Sequence, residues 1–460
     1  MNKKSCIWAI ALCLMCCFAC RAPVKRDLSQ EESITDTTFV HTRLFAPIDE
    51  HTHGATLVAL PNGDLLAAWF QGSGERWADD VAIMGARLQA GDTSWSAPFL
   101  MADVPGFPDV NPVLFLDGQQ RLWLVWYTVL ANLWESSLPK YRISEDYLGE
   151  GPPLWKWQEV LHVKPGDPTQ RGIQPNDKFV RSMQQQMQAY EVYLRDTLKA
   201  DARIMNGWKA WSQDKLSKAK GENLQYNGYL YDESGGYTRQ MMGYPLFRRI
   251  GWQTKNKAIE VHGRLLLPLY SDGLGCSLIA ITEDAGKTWQ FSNPLVGFEN
   301  IQASLVQKAN GELVAYMRDN GPPPQRLQMS RSTDGGLSWG PVRDSQLPNP
   351  GSGADLVTLA NGHWVIAYND TEEGRHSLAV SLSMDEGQSW PYTRHLLRDE
   401  RPREQASTGA YPSIIQDAQG MIHLVYSYVN RSDEQGECIR YARFPESWLL
   451  QADESPTGQR

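Results

Sequence analysis

Three aspartates stand in turns of nearly identical sequence and spacing. Thr282-Glu283-Asp284-Ala285-Gly286-Lys287-Thr288-Trp289 recurs as Ser332-Thr333-Asp334-Gly335-Gly336-Leu337-Ser338-Trp339. It recurs again as Ser383-Met384-Asp385-Glu386-Gly387-Gln388-Ser389-Trp390, and the tryptophans lie 50 and 51 residues apart. The carboxylate in such a segment accepts backbone N–H groups within a tight turn, and the glycine permits that turn. The tryptophan then packs between neighbouring strands. These aspartates are read as structural rather than catalytic. A degenerate copy is expected at Gly91-Asp92-Thr93-Ser94-Trp95.

Several other chemistries are excluded by composition. Of seven cysteines, five lie in residues 1–20, which leaves Cys276 and Cys438. Two cysteines make no disulfide framework, and no Cys/His cluster has zinc-ligand spacing. No glycine-rich phosphate loop stands between a strand and a helix. No metal, nucleotide or other cofactor is therefore expected. Lys plus Arg number 44 against 53 Asp plus Glu, a net charge of −9, which argues against nucleic acid as a partner. The chain is 42% hydrophobic and 21% charged, a globular balance. Its 17 tryptophans suit a β-rich, carbohydrate-facing protein and equally a large aromatic core.

The elements that would carry these turns also repeat. A glycine turn followed by a short strand that ends near an aromatic appears as Asn62-Gly63-Asp64-Leu65-Leu66-Ala67-Ala68-Trp69. Further copies follow Gly118, Gly263, Gly311, Gly362 and Gly420, at intervals of 55, 145, 48, 51 and 58 residues. Asn-Gly and Asp-Gly between apolar runs are hairpin signals, because both turn residues need positive φ. Four of the intervals fit one four-stranded sheet each, the size of a propeller blade. The long interval holds residues 165–247, where Phe179, Met183, Met187, Tyr190, Leu194 and Leu198 recur at helical spacing behind Asn176-Asp177. A second helical piece carries Ile204, Trp208 and Trp211. The expected fold is an all-β, six-bladed β-propeller with a helical insertion after the second blade. Blades 1–2 are placed at 39–164, the insertion at 165–247, blades 3–6 at 248–448 and a tail at 449–460.

Residues 1–20 form a separate segment. Asn2-Lys3-Lys4 precedes an apolar run of 12 residues, Ile7 to Phe18, too short to span a bilayer comfortably. Cys17-Phe18-Ala19-Cys20 resembles a bacterial lipoprotein signal with lipidation at Cys20, an ordinary secretory signal being the alternative. Residues 21–38 are polar and read as a tether. The protein is expected to be exported and held by its lipid in the cell envelope, at the outer membrane or in the periplasm, as a monomer.

The aspartate turns are Asp boxes, and three of them on six such repeats resemble the sialidase (neuraminidase) superfamily of propellers. More narrowly, the chain is similar to bacterial predicted neuraminidases with BNR repeats. The matching stretches are His53-Gly54-Ala55-Thr56-Leu57, Ala68-Trp69-Phe70-Gln71-Gly72, Asn111-Pro112-Val113-Leu114, Leu347-Pro348-Asn349-Pro350 and Tyr411-Pro412-Ser413. The similarity covers about residues 40–445 without the insertion.

That resemblance implies hydrolysis of a terminal, carboxylate-bearing sugar. The substrate carboxylate calls for arginines, whose planar fork binds it bidentately. A tyrosine serves as nucleophile, because a carboxylate there would be repelled by the substrate's own. A glutamate takes the tyrosine's proton, and a loop aspartate acts as acid and then base. Residue by residue, Tyr411 matches the nucleophile, and Arg318 and Arg375 match two arginines of the carboxylate-binding triad. Asp79 or Asp80 matches the acid/base, with Asp79 slightly favoured. Two positions depart from the pattern. His53 stands where the first triad arginine belongs. Gln302, 16 residues before Arg318, stands where the activating glutamate belongs. Gln accepts no proton at neutral pH, and His53 is a candidate base or pH-dependent anchor. The resemblance thus implies an exo-glycosidase of sialidase type acting on a glycan. The departures leave two alternatives open: a non-catalytic glycan-binding propeller, and a uronate-polysaccharide hydrolase or lyase that uses His53.

Overall fold

The architecture follows from strands most of which bury one or both faces. The computed structural model describes residues 39–169, 174–222, 225–231, 237–243, 246–431 and 436–451. Residues 1–38, including Cys20 and the expected signal and tether, lie outside the described residues. Six antiparallel sheets follow one another along the chain as the blades of a propeller. Blade 1 runs from His51–Ala59 outward to Phe99–Ala102, and blade 2 from Asp109–Leu116 to Trp157–Val160. Blade 3 has a divided inner strand, Gln253–Thr254 and Ile259–Val261, both paired with Arg264–Ser271. The inner strands of blades 4, 5 and 6 are Asn300–Gln307, Asp355–Thr358 and Thr408–Gln416. Each repeated glycine turn joins an inner strand to the second strand of its blade, as the spacing predicts.

The ring closes with a strand from the other end of the chain. Val40–Arg43 pairs with Gly436–Phe444 and so completes blade 6. The expected range of 39–164 for blades 1 and 2 is corrected accordingly, since its first strand belongs to the last blade. A four-residue strand with no glycine turn of its own carries no periodic mark of where it pairs.

The repeated aspartate turns lie between the third and fourth strands of blades 3, 4 and 5. Asp284, Asp334 and Asp385 each accept an N–H from the residue four places on, at 2.8, 2.9 and 2.8 Å. Hydrogen bonding within the turn also draws the three carboxyls below the ordinary aspartate range, against the opposing effect of burial.

Inner strands of adjacent blades converge without forming a shared ladder, so their backbone groups need other partners. Side chains supply them. Thr56 Oγ1 accepts from Leu114 N at 3.1 Å, Thr254 Oγ1 donates to Asn111 O at 2.9 Å, and Ser427 Oγ accepts from Gly54 N at 3.0 Å. Asp355, 0% exposed, joins four blades. Its carboxylate accepts from Ser304 Oγ at 2.8 Å, Ile414 N at 3.0 Å and Lys257 Nζ at 2.6 Å.

The insertion holds two helices, α1 (Lys178–Asp196) and α2 (Ala202–Lys220). Asp177 and Asp201 cap them by accepting from Val180 N and Ile204 N. Phe179, Met183, Met187, Tyr190 and Leu194 are buried, as the periodicity predicts. They pack with Trp208 into the core shared by blades 2 to 4. Gln186 donates to Trp339 O and Gln328 to Tyr190 Oη, fixing α1 on blade 4. The insertion is not wholly helical. A two-stranded hairpin, Gln225–Tyr231 with Tyr237–Gly243, follows α2.

Replacing Asp355 by Ala leaves Lys257 uncompensated and removes a shared acceptor from four blades. We expect a loss of about 3–5 kcal/mol, read as a lowered midpoint of denaturant unfolding. An unchanged midpoint would show that the carboxylate does not hold the ring.

Candidate active site

The site is made by irregularities in the inner strands. Each of blades 1, 2, 4 and 6 has one extra inner-strand residue, between His53 and Thr56, Val110 and Val113, Ile301 and Ser304, and Ala410 and Ser413. The first extra residue has positive φ in every case: Gly54 at 67°, Asn111 at 47°, Gln302 at 57° and Tyr411 at 54°. A bulge re-aims a side chain that a regular strand would turn into the sheet. Gly54 is required on two counts, because a Cβ there would lie 2.5 Å from Asn111 Oδ1 and 2.8 Å from the Phe70 ring.

The re-aimed side chains form one polar chain. Asn111 Nδ2 donates to Tyr127 Oη at 3.0 Å and to Tyr270 Oη at 3.3 Å. Gln302 Nε2 donates to Tyr270 Oη at 3.3 Å and to Tyr411 Oη at 3.0 Å. Arg318 Nη1 donates to Tyr411 Oη at 2.7 Å. The Tyr411 oxygen therefore receives two donors, one of them cationic. The His53 ring lies against it with centroids 4.3 Å apart.

Three cations surround the phenol. The guanidinium carbons of Arg318 and Arg375 lie 6.0 and 5.4 Å from the Tyr411 ring centre, and Lys255 Nζ lies at 5.4 Å. Arg318 is oriented by Asn320 Oδ1 at 2.7 Å, and Arg375 by Gly351 O at 2.9 Å. Lys255 donates to Pro412 O at 3.1 Å. Among the described residues, no carboxylate forms an ion pair with any of the three. Burial holds the His53 imidazole well below its ordinary value, and Arg375, His51, Lys255 and Arg318 push the same way, so it is neutral. Burial likewise lowers Arg375 from its ordinary value, with Arg318 adding to the effect and Tyr411 and Glu75 opposing it.

His53, Gln302, Arg318, Arg375 and Tyr411 are thus brought together. Asp79 and Asp80 are not. Asp80 accepts from Ser73 N and Oγ, at 3.1 and 2.8 Å, and fastens its own exposed loop. Asp79 is exposed, and among the described contacts none joins it to the cluster. The carboxyl of that loop that senses the cluster is Glu75. Burial raises it above the ordinary range, opposed by His51, Arg76 and Arg375. Asp272, after the second strand of blade 3, is raised by burial too, against a 2.7 Å bond from Gln253 Nε2 and the charge of Arg318.

Sequence reasoning did not single out Lys255, Glu75, Asp272 or the role of Tyr270. Lys255 and Lys257 had one visible mark, as charges inside the short inner-strand stretch Trp252-Gln253-Thr254-Lys255-Asn256-Lys257. Among the described residues, no group of three or more His, Cys, Asp or Glu is arranged to hold a metal ion.

With this geometry in place, relatives can be compared. The model of the BNR repeat-like domain matches residues 63–173 and 200–424, most of the chain, and the chain belongs to that family. A sialidase of Micromonospora viridifaciens is 27% identical over 178 residues, which is 36% of this chain and only 25% of that relative's length. A Dyadobacter fermentans protein of unknown function superposes with a TM-score of 0.58 at 13% identity, over 88% of this chain and 97% of that one. The intramolecular trans-sialidase of Ruminococcus gnavus, solved with oseltamivir carboxylate, gives 0.54 at 14% identity over 90% and 99%. At such identities the superpositions speak for the fold, a sialidase-like six-bladed propeller.

Lys255 is 3% exposed, and burial brings its ammonium down from 10.5 to about 8, against the charge of Asp355 and helped by Lys257. Between about pH 8 and 10.5 the native lysine is neutral while the unfolded one is protonated, so stability rises with pH across that window. Lys255→Met should lack this rise. The parent should gain roughly 3 kcal/mol on the variant from the lower to the upper limit, read by urea unfolding. Parallel curves would show that the lysine is not desolvated.

Proposed function

We propose that this protein is an exo-acting glycoside hydrolase of sialidase type. It removes a terminal carboxylate-bearing sugar, sialic acid or a related acid, from glycans outside the cytoplasm, while anchored to the cell envelope through Cys20. The observation that carries the reading is the group of three cations around Tyr411 with no ion-pairing carboxylate among the described residues. In an acidic chain, desolvated cations left without counter-ions make an anion site.

In this reading Arg318 and Arg375 hold the sugar carboxylate and set the anomeric carbon against Tyr411 Oη. The phenol oxygen forms the new bond to that carbon as the glycosidic C–O bond breaks. Glu75 gives its proton to the departing oxygen, a role suited to a carboxyl raised by burial. Neutral His53 takes the phenol proton, since Gln302 cannot. Water then attacks the glycosyl–tyrosine bond, giving a proton to the Glu75 carboxylate, and His53 returns one to the phenol. Arg318 and Gln302 point donors at the oxygen where charge develops.

One observation favours a second reading, glycan binding without turnover. Gln302 and Arg318 both donate to Tyr411 Oη, and the His53 imidazole beside it is weakly basic.

Arg318→Ala should weaken binding of N-acetylneuraminic acid or glucuronic acid by about 10- to 100-fold, the value of a charge-assisted hydrogen bond, read by calorimetry. Unchanged affinity would remove the carboxylate from the proposal. Tyr411→Phe should keep that affinity and lower kcat by about three orders of magnitude in a screen of acidic-sugar glycosides. If the parent binds these sugars and cleaves none, the binding reading stands.

Glu75 must be protonated to act first, so kcat/KM should fall as pH rises through its raised pKa. Glu75→Gln should flatten this alkaline limb, and an activated substrate with a good leaving group should restore much of the rate. A limb that persists in the variant would assign the acid to another group.

A further inference from the structure

Beside the axial cluster, on the blade 5 and blade 6 side, lies a cleft of about 410 Å³. Its walls include Arg375, His376, Arg403, Glu404, Thr408 and Arg431. Arg375 belongs to both places, lining the cleft and standing 5.4 Å from the Tyr411 ring centre. The cleft thus continues the proposed carboxylate site rather than lying apart from it.

Among the described residues, the acids near it are engaged elsewhere. Asp399 is held by Arg401 and by Ser407 N at 2.8 Å. Glu372 pairs with Arg326 at 2.5 Å, and Asp370 with His395 at 2.7 Å. Three guanidinium groups and an imidazole therefore line the cleft beside one acidic residue, Glu404. Arg431 Nη1 donates to the backbone oxygen of Glu404 at 3.2 Å, not to its carboxylate. Among the described residues, Arg403 and Arg431 form no ion pair. The walls are also held in place. Arg375 O accepts from Gly409 N at 2.9 Å, and the paired Asp399 fixes the loop that presents Arg403.

We propose that this cleft is a second anion subsite, and that the preferred ligand is a glycan with two anionic groups within one sugar's reach of each other. One group is the carboxylate taken by Arg318 and Arg375. The other is a sulfate ester or a second carboxylate, taken by Arg403 and Arg431 with Arg375 between the two. Guanidinium forks suit either oxyanion. The inference rests on the anion-site reading of the axial cluster and extends it to the class of substrate.

The test is calorimetric titration of the full-length protein and of the double variant Arg403→Ala/Arg431→Ala. The probes are N-acetylneuraminic acid, its α2,8-linked dimer, a sulfated sialyl-lactose and inorganic sulfate. The parent should bind a two-anion probe at least about 10-fold more tightly than the monosaccharide. The double variant should lose that advantage and hold the monosaccharide within about 2-fold. Preference for the sulfated probe or for the dimer identifies the second group. Equal affinities in the parent, or equal weakening of every probe in the variant, overturn the proposal. Inorganic sulfate separates the two readings. If no sialyl probe binds the parent, the axial reading fails. The basic cleft then survives as an anion site only where sulfate binding is lost in the double variant and kept in Arg318→Ala, and it is overturned otherwise.

Discussion

The site depends on a backbone constraint at the propeller's axis. Six inner strands converge there, and a regular strand would send alternate side chains into the sheet packing rather than toward the centre. The chain escapes this by a one-residue bulge in four blades, each opened by a residue of positive φ. Three of these residues, Asn111, Gln302 and Tyr411, have side chains, and such backbone costs about 1–3 kcal/mol apiece. That strain persists because the surrounding structure over-determines it. Thr56, Thr254, Ser427 and Asp355 bind the inner strands to one another, so relaxing one bulge would unpair groups in the next blade. Ring stability and site geometry are thus one problem.

Electrostatics adds the second layer. Burial disfavours charge on Lys255, Arg375 and His53 alike, but the outcomes differ. The imidazole, with the lowest intrinsic affinity for a proton, gives up its charge, and the guanidinium keeps it. The result is a neutral ring tilted against a phenol, inside a shell of cations. The nearby carboxyls respond in the opposite sense, with Glu75 and Asp272 pushed toward their protonated forms by burial. A pocket whose cations stay charged and whose acids resist ionising is set to receive a negative ligand.

How much of this could be read from the sequence varies with the physical origin of each feature. A glycine turn ahead of an apolar run recurs six times, so the six hairpins and the blade count were legible, although of the six turns only His262-Gly263 has positive φ at both residues. Helical periodicity marked Phe179 to Leu194 because one face is buried against the propeller. The closing strand Val40–Arg43 was not legible, since its pairing is set by where the ring must shut. The insertion's hairpin likewise had no glycine turn of the repeated kind. At the site, His53, Gln302, Arg318, Arg375 and Tyr411 were found through the family resemblance, since the bulges that re-aim the inner-strand side chains leave no mark in the strand periodicity. The loop acid is harder to assign from sequence, because a loop has no register. Three acids lie between Glu75 and Asp80, and spacing alone does not say which carboxyl a loop turns inward. Ser73 claims Asp80, Asp79 is exposed, and the charges of His51, Arg76 and Arg375 act on Glu75.

Gln302 shows how one atom type changes what the same geometry can do. A glutamate at this place would accept the phenol's hydrogen and draw it along the polar chain. The amide reverses the bond, so that hydrogens run from Gln302 and Arg318 into Tyr411 Oη. In the proposed reaction both bonds strengthen as negative charge gathers on that oxygen, and deprotonation falls to the His53 face. His53 itself replaces a cation, and Lys255 stands within 5.4 Å of the same ring from below the bulge at Pro412. The three differences fit one another. Removing a carboxylate and an arginine together leaves the local charge balance unchanged, while the buried lysine keeps the phenol's surroundings positive. On the proposed reading, the site is an alternative solution to holding an acidic sugar, with its own proton route, rather than a sialidase pocket that has lost two parts.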